Sequence, residues 1–445
     1  MSLLAACREE AAPTLRLAAP IVIGQVSQML MGVTDSVMIG RTGTVPLAAS
    51  AFGGNVFSIF YVLGIGLMIP VAILVSRARG AERPEEAGEY LRHGLALAFA
   101  CGLLETLLMG LVGTQLPRLG QPPEVLAIVM PFYLLLAASI TPVLVYLVLR
   151  QFAEAMGRPW VPMFIMLAGV GLNALLNWIF IYGHLGAPAL GLTGAAISTL
   201  ISRSIGAGVV FLWLRFDPAV RPAWPRRWLG GWSRARFGEL LRLGGPAGAM
   251  LTFESSAFVV SCVMIGWLGA VPLAAHQIAI TCASLAFMFP LGLGMAAGMR
   301  VSHAVGAGAR ERLRPIAFGA FGLGWIITLG FGVSFAVAGK MIATWFVVDP
   351  AVIALAVQLL IVAGVFQLVD GTQAIGASVL RAVSDVRWPL AITLTAYWGI
   401  ALPVGYALGV LGPLGAVGVW VGIASGLAVA AILLPWRFAR LTRAD

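Results

Sequence analysis

Six polar residues carry the candidate chemistry of this chain, because each interrupts an otherwise apolar run: Asp35, Asn173, Asn177, Thr199, Glu254 and Asp370. An acid in such a run is costly and points to an ion or proton path. Depth follows from about 1.5 Å of rise per helical residue, counted from the arginine at the expected cytoplasmic end of each run. Glu254 comes to roughly 18 Å beyond Arg242, and Asp370 to roughly 16 Å from Arg381. Two carboxyls at matching depth would share a proton or hold Na+ through oxygen ligands. Phe366, one turn before Asp370, could offer a ring face to a cation. Asp35 comes to roughly 28 Å beyond Arg16, and Asn177 equally far beyond Arg158. Asn173 is one turn deeper, and Thr199 comes to roughly 24 Å on the next run. A carboxylate with amide and hydroxyl partners suits a second proton or Na+ site.

Other polar residues admit plainer roles. Glu105 and Arg203 come to roughly 20 and 18 Å, so a structural ion pair is expected between them. Gln277 and Asn55 sit near the outer ends of their runs and are candidates for contact with a bound molecule at a cavity mouth. Asp349, before Pro350, reads as a helix N-cap. The four histidines and four cysteines lack metal-ligand spacing, so no resident metal or cofactor is expected. The chain carries no Walker motif and no catalytic set on a soluble domain, which points away from an ATP-driven pump or an enzyme.

The elements that must position these residues are membrane helices. Of 445 residues, 60% are hydrophobic and 10% charged, too few charges to cover a water-soluble surface. Runs of roughly 20 apolar residues give twelve spans. They lie near 15–40, 47–76, 91–115, 126–154, 160–182, 190–214, 240–267, 272–301, 315–340, 351–380, 388–410 and 413–436. A formal charge of +10 could suggest nucleic acid, but the arginines crowd alternate loops instead. That asymmetry predicts cytoplasmic termini and no nucleic-acid partner. No cleavable signal peptide is expected before the first span, and a bacterial inner membrane is the expected location.

The chain repeats itself. Leu15–Pro20 matches Leu241–Pro246, Val37–Gly40 matches Val263–Gly266, and Val45–Ala49 matches Val271–Ala275. Gly191 and Gly194 are read as repeating at Gly412 and Gly415. The fold class expected is therefore all-α integral membrane, with two pseudo-symmetric six-helix bundles. Six is even, so the repeats are parallel, related by an axis along the membrane normal. The expected division is a first lobe at 1–214, a linker at 215–239 and a second lobe at 240–445. The repeat also acts as a control on the acids. Asp35 aligns with Ser261, Glu254 with Gln28 and Asp370 with Val143, so packing alone does not demand carboxyls at those places.

Over essentially its whole length the chain resembles the multidrug and toxic compound extrusion (MATE) family, and its NorM-like branch in particular. Met31–Gly40, Val271–Gln277, Gly157-Arg158-Pro159 and Asn173–Trp178 carry the resemblance. It implies that the family's first-span acid is Asp35 and that the branch's second-lobe acids are Glu254 and Asp370. Some members of the branch have a tyrosine one turn before the last acid, where this chain has Phe366.

The resulting expectation is an antiporter that expels small hydrophobic or cationic molecules in exchange for H+ or Na+ by alternating access. Lipid would be its surroundings and the monomer its state. Two rivals remain: a flippase for a lipid-linked substrate, which would show an arginine-lined cavity, and a channel.

Overall fold

The computed structural model describes residues 3–119 and 122–443. Fourteen α-helices occur among them and no strand. They are α1 (Leu3–Gly40), α2 (Thr44–Gly80), α3 (Pro84–Gly113), α4 (Pro123–Ala138), α5 (Ile140–Ala155), α6 (Trp160–Tyr182) and α7 (Gly191–Phe216). After them come α8 (Arg234–Gly266), α9 (Ala270–Gly306), α10 (Leu313–Phe346), α11 (Pro350–Ala382), α12 (Arg387–Leu394), α13 (Leu402–Gly405) and α14 (Gly415–Leu441). α4 with α5 makes one span. α12 and α13, with π-helical turns at Thr395–Ala401 and Tyr406–Leu411, make another. The described residues thus hold twelve helical segments long and apolar enough to cross a membrane, as the hydropathy predicted.

The helices form two compact units. One is Ile23–Gly248; the other is the chain up to Val22 together with everything from Ala249 onward. The divide therefore falls inside α1 and α8. The first turns of α1 pack with the second unit and the first turns of α8 with the first. Glycines make this packing close: a Cβ on Gly66 would stand 2.2 Å from the Cα of Gly248, and one on Gly292 would stand 2.6 Å from a Val22 side-chain carbon. Small residues let membrane helices approach where no hydrophobic drive exists between them.

Each unit has its own core. Phe57, Met109, Phe132 and Tyr133 anchor the first. Phe335, Phe366, Tyr397 and Trp420 anchor the second.

The repeat is visible in the backbone. Left-handed residues recur at equivalent loops: Gly43 and Gly269, Glu82 and Gly308, Gly157 and Ser384, Gly191 and Gly415. Helix ends close alike: Arg83 N–H donates to the Ala78 carbonyl (2.9 Å) as Ala309 does to Ala304 (3.0 Å). Arg158 to Ala153 (2.9 Å) matches Asp385 to Leu380 (3.0 Å). Arg158 then pairs with Asp217 at 3.0 Å, and Asp385 pairs with Arg437 at 2.9 Å, so the bridge persists with its charges exchanged. One register needs correction. Gly191 opens α7 at φ +53° and Gly415 opens α14 at φ +55°. The glycine pair Gly191/Gly194 therefore answers to Gly415/Gly418, not to Gly412/Gly415. Gly194 and Gly418 each press on backbone of the preceding span, at 2.3 and 2.6 Å from an added Cβ.

The π turns have a cause in the sequence. Pro403 has no N–H for the Gly399 carbonyl, so the ladder loosens around it. α14 fills in against the widened segment through Gly422 and Gly426, whose added Cβ atoms would stand 2.2 Å from Gly405 N and from the Ala396 carbonyl oxygen.

Candidate functional site

In the first unit, α1 and α6 bring Asp35 to the two asparagines. Asn177 Nδ2 donates to Asp35 Oδ1 at 2.6 Å and to Asn173 Oδ1 at 3.3 Å. Both asparagines are fully buried, four residues apart and so on one helix face. Asn177 Oδ1 and Asn173 Nδ2 have no hydrogen-bond partner, so the cluster keeps one spare acceptor and one spare donor. The expected polar layer is thus three residues rather than four. Thr199 is buried, but its hydroxyl turns back to the Ala195 carbonyl at 3.0 Å in its own helix, the usual resort of a mid-helix threonine.

A cavity of about 190 Å3 opens beside Asp35, lined also by Gln28, Tyr61, Arg150, Ser202 and Arg203. Gln28 donates to the Tyr61 hydroxyl. Arg150 is committed: Nε pairs with Glu154 at 3.1 Å and Nη2 donates to Gln25 at 2.8 Å. Arg203 has no carboxylate bonded to it. Its Nη1 donates to Ser139 Oγ at 2.6 Å, and its guanidinium lies 5.1 Å from the Phe57 ring centre.

That geometry overturns the expected Glu105–Arg203 ion pair. Glu105 is 4% exposed and neither carboxyl oxygen has a hydrogen-bond partner. It faces Gly64, whose added Cβ would stand 3.0 Å from Oε2. The two residues share depth, but their helices turn them to different neighbours. Sequence reasoning therefore missed Arg203 as a wall of the Asp35 cavity.

In the second unit, α8 and α11 hold Glu254 and Asp370. Each lies within electrostatic reach of the other. Asp370 is 4% exposed and its Oδ1 is unpartnered. The Tyr397 hydroxyl, from the first π turn, approaches Glu254 without a completed bond, and Gln373 and Arg381 stand near the same carboxyl. Arg381 is itself held through Nη2 by Ser378 Oγ at 2.9 Å. Phe366 does not face either cavity described here. It is 2% exposed and meets Phe258 and Trp420 edge-on, with ring centres 6.2 and 5.6 Å away. Tyr397, on another helix, brings a phenol near Glu254, and sequence reasoning missed it. A proline interrupting the eleventh span was the available signal.

Gln277 and Asn55 stand on exposed helix faces, outside both cavities described here. Asp349 caps α11 as expected, accepting from Ala351 N at 2.8 Å. The described residues contain no group of three or more His, Cys, Asp or Glu able to hold a metal ion.

Comparison with known proteins agrees with this arrangement. The MatE family model matches twice, over residues 20–179 and 246–407, one match per repeat. The chain is 36% identical to a probable multidrug resistance protein NorM of Burkholderia mallei, over 98% of this chain and 93% of that one. It is 35% identical to the multidrug resistance protein NorM of Burkholderia vietnamiensis, over 96% and 93%. Among solved structures it is similar to an outward-facing multidrug resistance MATE family transporter of the MOP superfamily, with TM-score 0.89, 23% identity and coverage of 98% and 97%. It is equally similar in fold to a MOP superfamily transporter from Pyrococcus furiosus, with TM-score 0.89, 22% identity and the same coverage. Twelve apolar spans, a doubled family match and near-complete coverage by NorM relatives make this chain an integral membrane protein of the MATE transporter family.

Proposed function

We propose that this protein is a multidrug efflux antiporter that expels hydrophobic or cationic compounds from the cytoplasm in exchange for H+ or Na+. The observation that carries the reading is Asp35, a carboxylate on the wall of a cavity, bonded from behind by Asn177, which with Asn173 keeps one spare acceptor and one spare donor. The NorM names of its relatives supply the multidrug cargo.

The cavity's size and charge divide the labour. At about 190 Å3 it is smaller than the ~300–1,000 Å3 of a pocket for a drug-sized ligand. It suits a coupling ion with its water. Arg203 is the cavity's second uncommitted charge, so an entering Na+ meets a cation as well as Asp35. Arg203 opposes protonation too, since a neighbouring cation favours the ionised carboxylate. What favours a proton is the donor set: Asp35 is met by the amide nitrogen of Asn177 rather than by a ring of oxygens for Na+, so it is read as a proton site. Glu254 and Asp370, with two carboxyls and the Tyr397 oxygen nearby, are the better candidates for Na+.

Exchange follows from competition. Neutralising a carboxylate removes the attraction that holds a cationic cargo, and a ligand shifts a transporter only by its differential affinity for two states. The flippase alternative called for an arginine-lined cavity. Arg150 and Arg203 do line one, but Glu154 neutralises Arg150 and the volume is too small for a lipid-linked sugar. The arginine asymmetry supports a cytoplasmic location of both termini. Efflux of a fluorescent cation from proteoliposomes, with pH and Na+ gradients imposed separately, tests the reading. Efflux under neither gradient rejects antiport by these ions.

A further inference from the structure

A second cavity, of about 600 Å3, lies in the Ile23–Gly248 unit where segment 224–232 crosses the ends of α3 and α7. Its walls are almost wholly apolar: Phe99, Phe211, Leu212, Trp228, Leu229 and Trp232. No acid lines it, and the Asp35 cluster does not reach it.

The strap over this groove is held in a fixed place. Arg92, 4% exposed, donates through Nη1 to the Arg227 and Gly230 carbonyls and through Nη2 to the Gly231 carbonyl at 2.9 Å. Its guanidinium also lies 4.8 Å from the Trp232 ring centre. His93 Nε2 accepts from Ser233 N–H at 3.0 Å. Trp224 and Trp228 pack on Phe211, with ring centres 5.3 and 5.6 Å away. Tryptophans so placed are those that settle at a membrane–water boundary.

Charge identifies the occupant. Residues 215–239 hold six arginines and two acids. Both acids are engaged, Asp217 by Arg158 at 3.0 Å and Glu239 by the Tyr90 hydroxyl at 2.7 Å. Arg226 and Arg227, beside the groove wall Trp228 in sequence, are exposed and form no ion pair with the described residues. The groove thus joins an apolar interior to a surplus of positive charge at the membrane surface. That surplus repels organic cations. It complements a phosphate-bearing headgroup whose acyl chain leaves the bilayer for the groove. We infer that this groove is a binding site for an anionic phospholipid from the leaflet bordering the linker, with acyl chain under Trp228 and Trp232 and headgroup at Arg226 and Arg227. The inference does not depend on the antiport mechanism.

Native mass spectrometry of the detergent-purified full chain tests it, with phosphatidylglycerol, phosphatidylcholine or inorganic phosphate added. Phosphatidylglycerol is expected to be retained in preference to phosphatidylcholine. The double variant Arg226→Gln/Arg227→Gln should lose roughly 30-fold in that affinity, from two arginines near an anionic headgroup. Gly208 lines the groove, and an added Cβ there meets nothing within 4 Å, so Gly208→Phe starts from open space and directs its ring into the groove. It should abolish retention while thermal unfolding and drug efflux stay as in the parent. Equal retention of the two lipids overturns the inference. So does retention unchanged in Gly208→Phe, binding of phosphate alone, or displacement of the lipid by a cationic dye.

Discussion

Asn177 donates one short hydrogen bond, 2.6 Å, to Asp35 across the first and sixth helices. A hydrogen bond to a charged group in such a setting contributes about 1.5–3 kcal/mol. Asn177→Ala should therefore lower gradient-driven efflux on the order of 10-fold or more and lower the unfolding temperature as well. Initial efflux rates from proteoliposomes check this. Unaltered rates would show that the bond is packing only.

Glu105 and Arg203 keep separate company, one against Gly64 and the other on Ser139. A double-mutant cycle with Glu105→Gln and Arg203→Gln should give an interaction energy below about 0.5 kcal/mol. Thermal unfolding in detergent supplies the four stabilities. A coupling of several kcal/mol would restore the ion pair that depth alone suggested.

Ser384 holds φ +65°, where its repeat counterpart is Gly157 at φ +79°. The left-handed backbone costs an ordinary residue about 1–2 kcal/mol, so Ser384→Gly should stabilise by about 1 kcal/mol. Gly157→Ala should destabilise, since its Cβ would also stand 2.6 Å from Arg79 Nη1. Opposite shifts in unfolding temperature are the readout.

Gly422 packs directly on the backbone at Gly405, and a Cβ would stand 2.2 Å from the Gly405 nitrogen. Gly422→Ala should cost at least about 1–3 kcal/mol by overpacking. Gly54→Ala, where nothing lies within 4 Å of the new carbon, is the matched control.

Much of this architecture was legible in the residues. Apolar runs gave twelve spans, and ungapped matches such as Val37–Gly40 with Val263–Gly266 gave the repeat. Depth counting brought Asp35 level with Asn177, and Glu254 level with Asp370. A ruler along one helix, however, fixes height and not direction around the axis. Glu105 and Arg203 failed on that point, and so did Thr199. Tyr397 was hidden because π turns on either side of Pro403 re-aim the side chains ahead of it. The glycine register slipped by three because the loops before Gly191 and Gly415 differ in length. The division inside α1 and α8 leaves no trace in hydropathy, since a continuous helix carries the same apolar pattern wherever its ends pack.

Asp35 is the group on which the proposed exchange turns. Proteoliposomes carrying the parent or the Asp35→Asn chain should be loaded for cation efflux under an imposed pH gradient alone. The account predicts pH-driven efflux in the parent and its loss in Asp35→Asn, with both proteins folded to the same unfolding temperature. Parent-like pH-driven efflux by Asp35→Asn would contradict it.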